Sequence, residues 1–179
     1  SMPTWSCVVL VRRRFVEEAG RRPRLLSAGL CADGTAIEVL HFARGPGRPT
    51  VLLGGQHHVD GPAGAEALLA VARLLATPAW AVRLNRIDVV VLPRANPDGA
   101  ALGLRWGRHG VDLNRDHLRL SSPEARATGL LVRAYRPLVV AGLNEYPVGG
   151  SYRESFNSLP RPDTPLTNAN APHLPADAS

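Results

Sequence analysis

Gly54-Gly55-Gln56-His57-His58-Val59-Asp60 sets an imidazole and a carboxylate three residues apart, directly after the apolar run Thr50-Val51-Leu52-Leu53. A neutral imidazole nitrogen and a carboxylate oxygen can share one divalent cation at about 2 Å, provided a rigid element delivers both to one point. A buried strand ending in two glycines is such an element, so His57 and Asp60 are candidate metal ligands. His58 is the alternative imidazole. Adjacent side chains leave an extended backbone in opposite directions, which favours His57 as the partner of Asp60. Farther on, Gly110-Val111-Asp112-Leu113-Asn114-Arg115-Asp116 is a second block rich in polar groups.

The elements that must position these groups alternate. Thr35 to Phe42 reads as a strand broken by Arg44-Gly45-Pro46-Gly47, and Thr50 to Leu53 reads as a fully buried one. From Pro62 to Ala76 the residues are helix formers, with Ala67, Leu68, Val71, Leu74 and Leu75 on one face; Pro62 suits the first turn and Pro78 follows the end. Arg86 to Pro93 is a third strand, closed by the turn Asn96-Pro97-Asp98-Gly99. Ser122-Pro123-Glu124 opens a second helix reaching about Tyr135, and Pro137 to Leu143 is a fourth strand. Strands separated by helices predict an α/β fold whose mostly parallel or mixed sheet is sandwiched by helices. Ligands of such sheets bind beyond the carboxyl ends of the strands, where His57, Asn96 and Asn144 all fall. After about residue 156 the chain turns proline-rich and loses apolar periodicity, so residues 1–156 read as the folded domain and 157–179 as a loop or disordered tail.

Composition narrows the class. A chain of 179 residues with 45% hydrophobic content buries one core. No apolar stretch approaches the roughly 20 residues of a membrane-spanning helix, and no signal-peptide pattern opens the chain. Cys7 and Cys31 lack metal-site spacing and allow at most one disulfide, so a reducing, cytoplasmic setting is expected. The net charge of +6 comes with 21 arginines and no lysine, which points to coding bias. Aromatic residues make up only 5% and do not interleave with the arginines, so no nucleic-acid partner is expected.

Gly55-Gln56-His57-x-x-Asp60, Asn96-Pro97-Asp98-Gly99, Arg105, the block from Gly110 to Asp116, and Pro123-Glu124 occur in an order and spacing that resembles the zinc metallocarboxypeptidase family. The aminoacylase relatives of that family, the succinylglutamate desuccinylase and aspartoacylase group, are similar too. The resemblance runs from about Val51 to Phe156 and implies a carboxypeptidase-like, partial fold. It also implies a hydrolase of an amide bond near the free carboxylate of a small peptide or acylated amino acid. A family zinc site uses His-x-x-Glu and a later histidine. His57 matches the first ligand, Asp60 stands where Glu is usual, and Asn144 stands where the second His is usual. Arg105 would steady the oxyanion, while Asn114 and Arg115 would grip the substrate carboxylate.

The departures carry as much meaning. Asp for Glu withdraws the carboxylate by roughly 1.5 Å, one carbon–carbon bond. A carboxamide at Asn144 suits calcium or magnesium better than zinc, so zinc is expected to be weakly held or replaced by another divalent metal. Gly142 lies where the family commonly has Asp. The family's catalytic glutamate comes far beyond the third ligand, past the last residue here, and Glu145 is not its counterpart. Low activity is the expectation, with a catalytically degenerate domain that binds a carboxylate ligand or a protein partner as the alternative to a working hydrolase. Four residues also have plain structural readings: Asp112 pairing with Arg115 to close a loop, Glu66 solvated on the first helix, and Trp106 in packing.

Overall fold

The computed structural model describes residues 23–43, 45–58, 62–103, 106–108 and 110–144. They all belong to the compact unit Ser1–Glu145; the unit Tyr146–Ser179, and with it the expected tail, lies outside them.

Five strands, β1 (Arg24–Leu30), β2 (Ala36–Phe42), β3 (Thr50–Gly55), β4 (Asp88–Leu92) and β5 (Val139–Leu143), form one sheet in the order β1-β2-β4-β3-β5. Strand β3 pairs in parallel with β4 and β5, whereas β2 is antiparallel to both β1 and β4. The sheet is therefore mixed, with the parallel part confined to the three strands that carry the candidate site. Strand β1 is not legible from periodicity. It is an edge strand, mostly exposed and without clean alternation, and its pairing with β2 is what makes it a strand.

Helix α1 (Ala63–Ala76) crosses from β3 to β4, and helix α4 (Pro123–Tyr135) leads into β5. Leu68, Ala72 and Leu75 of α1 pack with Leu40, Phe42, Val89 and Val91. Ala125, Ala127 and Leu131 of α4 pack with Ile37, Val39, Leu52, Val90 and Leu92. The two sets alternate along β2 and β4, so the helices cover opposite faces. Each fully buried Leu or Val in these layers contributes about 1.5–3 kcal/mol.

The buried stripe of α1 is Gly64, Ala65, Leu68, Leu69, Ala72, Leu75 and Ala76, which leaves Leu74 half exposed, contrary to the face expected from its spacing. Alanine, leucine and valine surround this helix on nearly every side, so periodicity alone does not select the face that meets the sheet. Two further short helices are present. Pro78 follows the end of α1, as expected, and opens helix α2 (Pro78–Arg83) at its first position, where a missing N–H costs nothing. Asn96 is not within a turn but caps helix α3 (Pro97–Leu102), its Oδ1 accepting from Gly99 N at 3.1 Å. Asn-Pro-Asp-Gly supports both readings locally, and the buried setting of Asn96, Pro97, Asp98 and Gly99 selects the helix.

Candidate functional site

Strand β3 lies between β4 and β5, and the chain leaves it toward one face through α1 and returns from the other through α4. Its carboxyl end is thus the switch point where connections diverge and a crevice opens. Gly54 of β3 and Gly142 of β5 are register partners on the floor of this edge. A Cβ on Gly54 would sit 3.8 Å from His57 Cε1, and one on Gly142 would sit 3.7 Å from Asn144 Nδ2.

The chain turns sharply after β3 because Gln56 adopts φ 50°, a left-handed conformation. His57 and His58 follow in a bend. Gln56 is fixed by its Oε1, which accepts from Arg94 Nε at 2.9 Å, and Gly55 O accepts from Ala95 N at 3.0 Å. His57 is buried, its carbonyl accepting from Asn96 Nδ2 at 3.3 Å. Its ring meets His117 edge-on at 5.3 Å, and its Nδ1 has no hydrogen-bond partner. Burial is the main cause that lowers its pKa to about 4. The neighbouring His117 and His58 act in the same direction, while the Asn144 carboxamide as acceptor and the Asp112 charge act against it.

His58 takes a different environment. Its Nε2 lies 3.0 Å from Asp112 Oδ1, and the same oxygen accepts from Asn114 N at 3.0 Å. A carboxylate on one ring nitrogen fixes tautomer and orientation, which is the arrangement that commonly supports a metal-ligating imidazole through its other nitrogen. Asp112 therefore pairs with His58 and not with Arg115, across 54 positions of sequence that no spacing rule connects. If His58 takes the first ligand position, the third residue onward is Gly61, which has no side-chain donor.

The turn that bears Asn114 and Arg115 is a single 3-10 turn (Leu113–Arg115). It is anchored by Asp116, a residue that motif reading left without a role. Asp116 Oδ1 accepts from Ser121 N at 3.1 Å and Ser121 Oγ at 2.5 Å, and Oδ2 accepts from Ser122 N and Oγ, both at 2.7 Å. Burial pushes the Asp116 carboxyl up, but the bonds from Ser121 and Ser122 outweigh it and hold it far below the ordinary carboxylate value. Ser122 Oγ in turn caps α4 by accepting from Ala125 N at 3.1 Å. Arg115 is exposed, with Nη1 donating to Asn114 O at 3.3 Å, and no carboxylate pairs with it among the described residues.

The structure thus joins His57, His58, Asn144, Asp112 and the Asn114-Arg115 turn at the carboxyl edge of the parallel strands. Asp60 and Arg105, expected as ligand and oxyanion partner, lie outside the described residues. The unpartnered Nδ1 of His57 is the kind of atom a metal would satisfy. Among the described residues the remaining donors do not fit zinc. Asn144 presents a neutral carboxamide, and no three His, Cys, Asp or Glu ligand atoms converge at this edge among the described residues.

A mixed sheet covered on both faces, with a histidine-bearing turn at the switch point, defines a carboxypeptidase-like domain. The zinc carboxypeptidase family model, Peptidase_M14, matches residues 12–133, and the chain belongs to this family. It is similar to probable carboxypeptidase 2 of Trichophyton verrucosum, 34% identical over 104 residues that make up 57% of this chain and 20% of that protein. The fold is shared with carboxypeptidase A from Helicoverpa armigera at TM-score 0.70 and 20% identity, over 82% of this chain and 46% of that one. A metallo-carboxypeptidase from Burkholderia cenocepacia is similar at TM-score 0.69 and 18% identity, over 80% and 41%. The chain spans about a fifth of the length of that curated relative and less than half of those two solved chains.

Proposed function

We propose that this domain recognises the free carboxylate of a small peptide or acylated amino acid and, by itself, hydrolyses the adjoining amide bond poorly or not at all. The observation that carries the reading is Asn144. It follows β5 where the family's second imidazole is usual, and its carboxamide acts on the His57 ring by raising that ring's pKa. Arg115, with Asn114 beside it, is free of acidic partners among the described residues and rides on a turn fixed at both ends by Asp112 and Asp116. A preorganised guanidinium meets a carboxylate through two parallel N–H···O bonds, and the anchored turn limits the ordering such binding requires.

A second reading, zinc-dependent hydrolysis with Arg105 as oxyanion partner, is favoured by the His58–Asp112 pair, which orients an imidazole as metal sites do. Calorimetry with a free-acid tripeptide and its C-terminal amide tests the proposal. The free acid should bind more tightly, and Arg115→Gln should weaken it by about 1.5–3 kcal/mol, the range for hydrogen bonds to charged groups. Equal binding of acid and amide would refute carboxylate recognition. Metal-dependent turnover of the tripeptide that disappears in His58→Ala would establish the second reading instead.

A further inference from the structure

Away from the strand-end histidines, three side chains from distant parts of the chain converge in the interior: Cys31 after β1, Asp98 in the first turn of α3, and Glu124 in the first turn of α4. Cys31 Sγ and one carboxylate oxygen of each acid lie within 4.8 Å of one another. All three residues are buried, and Asp98 is only 1% exposed. Asp98 Oδ1 accepts from Gly99 N at 2.6 Å, but its Oδ2 has no hydrogen-bond partner. Glu124 Oε1 accepts a long bond, 3.4 Å, from Ala32 N.

We infer that Cys31, Asp98 and Glu124 form a binding site for one divalent metal ion of borderline softness, zinc foremost. Leaving a carboxylate oxygen buried and unpartnered is costly, and a cation is the partner that two carboxylates and a sulfur have in common. A thiolate excludes magnesium and calcium, which take all-oxygen shells, while two carboxylates disfavour the softest ions. Metal–ligand distances of about 2.0–2.3 Å set the three atoms roughly 3–4 Å apart, so a contraction of about 1 Å completes the triangle. A cavity of about 10 Å³ adjoins Glu124, lined also by Asn96, Arg108, Val111, Leu113 and Ser122. That volume is close to one water. Without metal, burial pushes the Cys31 thiol up to about 12, so it stays protonated; binding releases the thiol proton to solvent as the metal–sulfur bond forms.

The test uses the full 179-residue chain carrying Cys7→Ser, stripped with chelator and titrated with Co(II). A thiolate-to-cobalt charge-transfer band should grow to one equivalent, persist in His58→Ala, and be lost in Cys31→Ser and in Glu124→Gln. X-ray absorption at the cobalt edge, which needs no change at the site, should show one sulfur at about 2.3 Å. A folded chain that gives neither band nor sulfur neighbour would overturn the site. A band retained in Cys31→Ser, or lost in His58→Ala while Cys31 is intact, would overturn it equally.

Discussion

Replacing Gly64 by alanine tests how the site edge is held. A Cβ at Gly64 would lie 2.4 Å from Leu143 O and 3.1 Å from Leu143 C, backbone atoms at the end of β5. Ordinary contact begins at 3.4 Å, so α1 and β5 must separate by about 1 Å, the difference between 3.4 and 2.4. Neither partner is a flexible side chain, and overpacking of this kind costs about 1–3 kcal/mol, occasionally more. Against it stands helix propensity, which favours alanine over glycine by at most about 1 kcal/mol and by less in a first turn. The clash wins, and Gly64→Ala should lower stability by about 1–2 kcal/mol net of these two effects. Gly129 of α4 supplies the control. Its added Cβ meets only the Leu120 side chain, Cδ2 at 3.4 Å and Cδ1 at 3.6 Å, both at its movable end, so Gly129→Ala should be neutral or stabilising by up to about 1 kcal/mol. Urea unfolding of both variants reads the difference. Because Leu143 precedes Asn144, Gly64→Ala should also disturb the contact of Asn144 with His57, visible as a shift in the His57 ring resonances. A Gly64→Ala protein as stable as Gly129→Ala, with unchanged His57 signals, would refute the close approach of α1 to the end of β5.

Two other outcomes follow from the same geometry. Asp116→Asn keeps the shape but turns an NH2 group toward donors, leaving the part-buried N–H of Ser121 or the buried N–H of Ser122 unmatched, at a cost of about 1–3 kcal/mol at neutral pH. The Asp116 pKa is lowered in the fold, so its stabilisation is complete above the ordinary value of 3.8 and lost as pH falls through the folded value. The gap between wild type and Asp116→Asn in urea midpoints should therefore be constant down to about pH 4 and close below it; a gap that persists unchanged at pH 2 would contradict the charged-acceptor role. Asn144→His places an imidazole where a carboxamide now stands and should tighten zinc at the strand ends at least about tenfold by calorimetry, an effect abolished by His58→Ala; zinc affinity unmoved by Asn144→His would detach Asn144 from the site.

The β3-α1-β4 unit, α4 and β5 were legible because apolar runs bounded by glycine and proline, and an amphipathic stretch opened by Ser122-Pro123-Glu124, depend on neighbours in sequence. The positions of His57, Asn96 and Asn144 past strand ends followed from the same local signals. Tertiary structure decided what local signals could not carry. Strand β1 exists through pairing with β2, the buried face of α1 is chosen by the sheet, and Asn-Pro-Asp-Gly becomes a helix start because it is buried. The contacts at the candidate site depend on the same long-range packing. A left-handed Gln56 turns the chain out of β3, and Asp112 reaches His58 from 54 residues away. Periodicity and capping act over a few residues, whereas pairing, burial and carboxylate–imidazole contacts depend on which distant segments the fold brings together.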